Sequence, residues 1–458
     1  MNSELRPARS GSAFALWYMV AILSLAIFVA YLDRGVIAVL VPFLKLDFSL
    51  NDIQVSLLQG IAFSFFFSLA ALPLGRTVDR WNRRNLIIIG ILTWSSMTLL
   101  CGLSTEFWQL FLARAGVGVG EACLLPAAYS MVANSFGNNM RGRAMSILTV
   151  ATSIGGGSST VIGGALLTLW HGADFVHLPL IGTVAPWRAV FLVAGLPGFL
   201  VAFLLLAVRE PKRGPPPPPG ATASDFVSYL GQHWRLLVPL YIGFSLLFFF
   251  SYATALWSPA VLVRSFGLAA GAAGMASGSV QLLSSVAGAF ASGVASDAMI
   301  RRKVRNGRLQ LFAIGLVPGF IGGICLGVPS ANFYLVGLGL TFFASGVLTT
   351  VSYPAIYDVV PADMRGRALA VYLFLTSIFG LGGGTAAVAF ITEHVFRDEQ
   401  LLQYSVMVAV LGSLSLSLLL VFSSLRRYEL ARLALPRQVA PVDMGLGDGT
   451  AHGRTSRN

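Results

Sequence analysis

Twelve membrane-spanning α-helices, set out as two pseudo-symmetric bundles of six, are the fold this sequence predicts. Three observations lead there. Only 11% of the 458 residues are charged, against about 25% in a typical soluble protein, and 56% are hydrophobic, so the chain cannot clothe itself for water. The apolar residues gather into runs of about 20, the length that crosses a bilayer. Finally, motifs of the first half return in the second.

The runs fall at about 13–44, 54–78, 85–104, 107–134, 143–169, 187–208, 236–263, 270–296, 309–328, 332–358, 366–391 and 402–425. They are too long and too uniformly apolar for the short alternating strands of a barrel. The first run continues well past signal-peptide length, so the first helix is expected to be retained. Between the sixth and seventh runs stands REPKRGPPPPPGATASDF, with five consecutive prolines, a semi-rigid linker. The predicted organisation is an N-terminal bundle over 1–208, a linker over 209–235, a C-terminal bundle over 236–425 and a disordered tail over 426–458.

Most of the 31 Lys and Arg residues fall on one side of this topology. That side holds Arg76, Arg80, Arg83 and Arg84, then Arg141 and Arg143, then the linker, then Arg301, Arg302, Lys303, Arg305 and Arg308, then Arg365 and Arg367, and the tail. The other side holds Lys45, Arg188, Arg264 and Arg397. Basic residues stay on the cytoplasmic side, so both termini are expected in the cytoplasm, with the protein in the cell (inner) membrane. The net charge of +12 thus reflects topology, and no nucleic-acid partner is expected.

MRGRAMSILTVATSI at 140–154 is matched by MRGRALAVYLFLTSI at 364–378, and Gly75–Asp79 (GRTVD) by Gly293–Asp297 (GVASD). Both pairs occupy equivalent loops of their halves. A parallel six-plus-six repeat is one transporter architecture, with the substrate held midway across the membrane between the halves. GRTVDRWNRR at 75–84 closely resembles the loop signature of the major facilitator superfamily, and RAGVGVGEA at 114–122 its fourth-helix motif. GGGSSTVIGG at 155–164 resembles the fifth-helix glycine motif, with Ser159 and Thr160 where Gly-Pro is usual. YLDR at 31–34, GVGEA at 118–122, REPKRG at 209–214 and SYATALWSPAVLVRS at 251–265 resemble the Spinster-like branch. That resemblance implies a secondary transporter, often proton-coupled, of sphingolipids or lysophospholipids.

Four charges lie inside predicted spans: Asp33, Arg34, Arg114 and Glu121. Each ionised group at bilayer depth costs at least about 2.5–3.5 kcal/mol on insertion scales. At 1.5 Å per residue, Asp33 lies roughly 18 Å below the outer surface, and Glu121 at a similar depth. Asp33, Glu121 and Arg34 are therefore the expected proton-coupling cluster. A carboxyl group in a low-dielectric site holds its proton, and an approaching guanidinium drives it off. The structural alternative is a static ion pair fixing the first helix to the fourth. Arg114 either binds an anionic substrate group or stabilises carbonyls of the first helix. Gly116, Gly118 and Gly120 point to close helix packing.

In the repeat register Trp257 falls on Asp33 and Ser345 on Glu121, so the second half lacks these charges. It offers Phe248, Phe249, Phe250, Tyr252 and Trp257 in the seventh run and Phe342, Phe343, Tyr353 and Tyr357 in the tenth. A charged wall facing an aromatic one suits an amphiphile. Arg34, Arg114, Tyr252 and Trp257 are the expected substrate contacts, although most membrane aromatics simply pack or face lipid. The expected cytoplasmic gate is Gly75, Asp79, Arg80, Arg83, Arg84, Asp297 and Arg365, with Asp79 bound to the positive N-terminus of the eleventh helix.

Cys101, Cys123 and Cys325 have unrelated spacings, and no His/Cys cluster or phosphate loop is present, so neither a metal nor another cofactor is expected. No nucleophile motif supports an enzyme. The expected partners are a lipid or other small-molecule substrate, protons and membrane lipids, with the chain acting as a monomer. A small organic anion or drug is the alternative cargo.

Overall fold

A computed structural model of the chain describes residues 13–170, 173–178, 182–211, 223–302, 304, 307–361 and 364–434. Among them, twelve helices are long and apolar enough to cross a membrane. In the first half these are α1 (Ala13–Phe48), α2 (Asp52–Val78), α3 (Arg83–Leu103), α4 (Phe107–Ser135), α5 (Met140–Leu169) and α6 (Pro186–Leu205). In the second they are α7 (Trp234–Arg264), α8 (Ala270–Met299), α9 (Gly307–Leu326), α10 (Ala331–Tyr357), α11 (Arg365–Phe396) and α12 (Glu399–Ser423). A two-stranded antiparallel ribbon in the α5–α6 connection, β1 (Val176–Leu178) with β2 (Gly182–Val184), carries no signal in the hydropathy pattern.

Two segments expected to be irregular contain helices. The second part of the linker forms a helix over Ala223–Gln232, with Phe226 buried and Tyr229 Oη donating to Val359 O at 2.6 Å. The start of the tail is helical over Leu425–Ala434, because Tyr428 buries its ring and donates to Asp358 at 2.8 Å. The disorder expected from residue 426 is thus corrected for 426–434; the remainder of the tail, and the proline run, lie outside the described residues.

Lipid offers no hydrophobic drive between helices, so they associate by close backbone approach at small residues. A Cβ at Gly120 would stand 2.7 Å from Trp94 N and 2.9 Å from Gly90 O, which ties α4 to α3. The second half repeats this with Gly322, whose Cβ would meet Gly337 O at 2.7 Å, between α9 and α10. Between the halves, α5 and α8 meet at Gly164, where a Cβ would lie 2.5 Å from Gly271 O. Another inter-half seam joins two π-helical stretches, Leu57–Ile61 of α2 and Thr376–Gly383 of α11. There a Cβ at Gly60 would lie 2.7 Å from Leu381 O.

The halves merge at the end carrying Lys45 and Arg264. Val36, Leu40, Leu44 and Leu50 share one buried cluster with Trp257 and Val261. At the opposite end Gly75, Gly142, Gly293 and Gly366 border open space. Gly120→Ala is expected to lower the thermal-unfolding midpoint in detergent by several degrees, since overpacking costs about 1–3 kcal/mol. Gly293→Ala, with room for its methyl and better helix propensity, should leave the midpoint unchanged or raise it.

Candidate functional site

The site grows from places where helices are interrupted. The helix of α1 runs from Ala13 to Gly35, breaks at Val36 and resumes at Ile37. In α2 the π-helical stretch widens the ladder at Leu57–Ile61. Such irregularities weaken the pairing of main-chain carbonyls, and hydrocarbon offers no replacement partner. Arg114 of α4 supplies one. Its Nε donates to Leu58 O at 3.5 Å, Nη1 to Asp33 O at 3.3 Å and Nη2 to Arg34 O at 3.4 Å. Of the two roles open for Arg114 in the sequence, this geometry occupies the carbonyl one, and the side chain is buried.

Asp33 and Arg34 are neighbours in sequence, so the helix turn sends them to different sides. Arg34 reaches α4, where Nη2 lies 2.6 Å from Glu121 Oε2. Its guanidinium stands 4.3 Å from the ring centroid of Phe63 and 4.7 Å from that of Tyr31. The Arg34 side chain keeps 12% exposure, and Glu121 1%. Helix α4 breaks directly after Glu121, at Ala122–Cys123, because Pro126 has no N–H to return to Ala122. Asp33 turns to α3 instead, accepting from Thr98 Oγ1 at 3.2 Å, and is wholly buried. Asp33 Oδ1 and Glu121 Oε1 are buried without a hydrogen-bond partner.

Glycine spacing in α4 serves this packing. A Cβ at Gly118 would stand 2.6 Å from Phe63 O, and one at Gly116 would stand 2.6 Å from Met97 Cγ. Gly35, beside the acid–base pair, admits Ser159 of α5 so closely that a Cβ would lie 2.0 Å from its Oγ.

In the second half Tyr252 is half-buried and packs across the interface against the first-half cluster that holds Phe63, near Arg34 and Tyr31. Trp257 is fully buried, with Nε1 donating to Thr385 O of α11 at 3.1 Å. Ser345, the repeat counterpart of Glu121, donates to Ser251 of α7 at 3.0 Å. A hydroxyl pair therefore joins α7 to α10 where an ion pair joins α1 to α4.

The residues expected to form a gate divide into two groups. Arg83 is buried and bonded inside its own half, to Glu210 Oε1 at 2.7 Å, Ser130 Oγ at 3.0 Å and Pro211 O at 2.7 Å. Arg84 joins it, its N–H meeting Glu210 Oε2 at 2.9 Å. These two brace α3 and α4 against the segment after α6. The second half repeats the brace: Arg308 donates to Pro354 O at 3.2 Å and pairs with Asp358, which also accepts from Tyr428. By contrast Gly75, Arg80 and Asp297 lie towards the open end, with Arg80 and Asp297 exposed. Arg365 stands 5.9 Å from the ring centroid of Tyr357 of its own half. The side chain of Asp79 lies outside the described residues.

An ion cluster at the closed end went unread in the sequence. Asp52, wholly buried at the start of α2, accepts from Arg264 of α7 at 2.8 and 2.9 Å and from Lys45 of α1 at 2.9 Å. Lys45 also meets Glu399 of α12 at 2.7 Å, and Glu393 of α11 accepts from the Ile53 N–H at 2.9 Å. The available signal was charges of opposite sign, from both halves, at helix ends on the side poor in charge.

The model of the Major Facilitator Superfamily matches residues 23–384. The chain belongs to that superfamily. Its work is accordingly membrane transport by alternating access, not enzymatic catalysis. Protein spinster homolog 1 of Homo sapiens is 27% identical over 423 residues, covering 86% of this chain and 75% of that protein. An MFS-type efflux pump of Mycolicibacterium smegmatis is 26% identical over 373 residues, covering 80% and 82%. Among solved structures, a bacterial homolog of the human lysosomal transporter Spinster, inward-facing and unoccupied, superposes with a TM-score of 0.73 at 24% identity, covering 92% of this chain and 98% of that one. These likenesses put the transporter beside the Spinster branch.

Loss of a partner to a buried charge costs about 3–5 kcal/mol. Arg264→Gln is therefore expected to loosen the closed end. A cysteine at Leu50, buried there, should then react with an impermeant maleimide about tenfold faster or more. The reciprocal swap, Asp52→Arg with Arg264→Asp, should recover part of the protection.

Proposed function

We propose that this transporter moves an amphiphilic lipid, of sphingolipid or lysophospholipid type, coupled to protons. The observation that carries the reading is the buried cluster in which Arg34 holds Glu121 while the neighbouring Asp33 carboxyl, among the described residues, accepts a hydrogen bond from the Thr98 hydroxyl alone. In this conformation Arg34 is committed to Glu121, and the Asp33 carboxyl is left without a cation in hydrogen-bond contact. An unpaired carboxylate in a dry interior is costly, so the acid that lacks Arg34 carries the proton, and the exchange of partners couples proton movement to conformation.

Arg34 retains solvent contact and faces the half-buried Tyr252, which suits a polar head group held by the first half. Phe248, Phe249 and Tyr353 of the second half provide an apolar side for an acyl chain. Arg114 and Trp257 act here as supports: one holds the carbonyls beneath the charge pair, the other fixes α7 to α11. The named relatives of the Spinster branch favour a lipid cargo. The efflux-pump relative favours the second reading, a small organic anion or drug.

By the distribution of basic residues, the open end faces the cytoplasm, together with both termini, and the chain lies in the cell membrane as a monomer. The closed end, with Asp52, Arg264, Lys45 and Glu399, then faces outward, and the conformation is inward-open. In the opposite state the halves, divided as 1–208 and 236–425, rock so that Gly75, Asp79 and Arg80 approach Arg365, and Asp297 approaches the first half.

Proteoliposomes with a labelled lysophospholipid and an imposed pH gradient test this reading. Asp33→Asn and Glu121→Gln should each abolish the gradient-driven component. Arg34→Gln should abolish transport altogether. Wild-type gradient dependence in both acid variants would sink the coupling role, and a saturable response to organic anions but not to lysolipids would shift the cargo to the second reading.

A further inference from the structure

We infer that Thr98 is the positioning residue for the coupling acid: its hydroxyl holds Asp33 in both protonation states by turning its hydrogen between two acceptors. The inference rests on the proposed coupling role of Asp33. Thr98 is buried on α3, with Oγ1 3.2 Å from Asp33 Oδ2 and 3.0 Å from Trp94 O. A hydroxyl has one hydrogen to donate and two lone pairs to accept with, so the two contacts cannot both be donated at once.

When Asp33 is ionised, the hydrogen points to Oδ2 and the bond is charge-assisted. When Asp33 is protonated, the acid donates to Thr98 Oγ1, and the hydroxyl turns to the Trp94 carbonyl one helical turn back. Each state keeps a bond, and only the hydroxyl hydrogen turns. The charged and titratable groups facing Asp33 are Glu121 and Arg114 of α4 and Cys101 of α3. Arg34, its neighbour on α1, is directed to Glu121, and Arg114 bonds the Asp33 carbonyl. Thr98 is therefore the side-chain hydrogen-bond donor that meets the Asp33 carboxyl among the described residues.

A charge-assisted hydrogen bond is about twice as strong as a neutral one. Deleting the hydroxyl therefore penalises the ionised acid more than the protonated one, and proton release should need a higher pH.

The test uses the full-length transporter in lipid nanodiscs, with spin labels at Ile147 of α5 and Val294 of α8, both exposed towards the open end. The inter-label distance distribution is followed against pH. Wild type should show a titratable change of population, which Asp33→Asn makes independent of pH. Thr98→Val, nearly isosteric, should move the midpoint upward by about half to one pH unit, and Thr98→Ser should restore the wild-type midpoint.

If Asp33→Asn flattens the response while Thr98→Val leaves the midpoint in place, the Thr98 assignment falls and the coupling role of Asp33 stands. A Thr98→Ser midpoint displaced as far as that of Thr98→Val would make the effect one of packing and overturn the assignment. If Asp33→Asn titrates like wild type, or wild type does not respond to pH, the coupling role falls and the inference with it.

Discussion

The inner face of the first half depends on one guanidinium that touches three main-chain oxygens. Arg114 makes it tolerable for α1 and α2 to be irregular within hydrocarbon, and those irregularities are what let a charge pair stand there. A continuous helix at 33–38 would need no such support.

The second half shows what the same skeleton does without those charges. Glycine pairs join α3 to α4 and α9 to α10 at similar separations, and arginine braces recur at Arg83 and Arg308 with their carbonyl targets at Ser130 and Pro354. At the position of Glu121 stands Ser345, and at that of Asp33 stands Trp257, which closes the helix interface with an indole. Bracing is thus common to both halves and ionisable chemistry belongs to one. The first brace ties α3 and α4 to the start of the linker, and the second ties α9 and α10 to the start of the tail.

The fold was legible because lipid imposes its length and polarity on every spanning helix, and because the two MRGRA stretches mark the same loop twice. That Asp33, Arg34 and Glu121 could gather in one place was legible from their similar depth along helices one and four; which acid Arg34 meets was not. Other features were not. The direction taken by Asp33, towards Thr98 and away from Arg34, depends on the rotation of α1 about its own axis, which hydropathy does not register. Arg83 resembles a surface charge in sequence, and its burial follows from Glu210 folding back across it. The Asp52 cluster joins three stretches far apart in the chain, 45–53, 264 and 393–399, so no local pattern announces it. The helix at 425–434 depends on one tyrosine finding a carboxylate on α10.

Between α2 and α11, two over-wide helical stretches lie against each other. Each holds a surplus residue, and such a surplus behaves as a dislocation in a rod: it can migrate by a turn while disturbing only the bonds next to it. Two rods carrying dislocations along a common seam can slide past one another in small steps, where two regular rods would have to lift apart and re-engage. Over-wide turns thus line both sides of a seam along which the two halves meet.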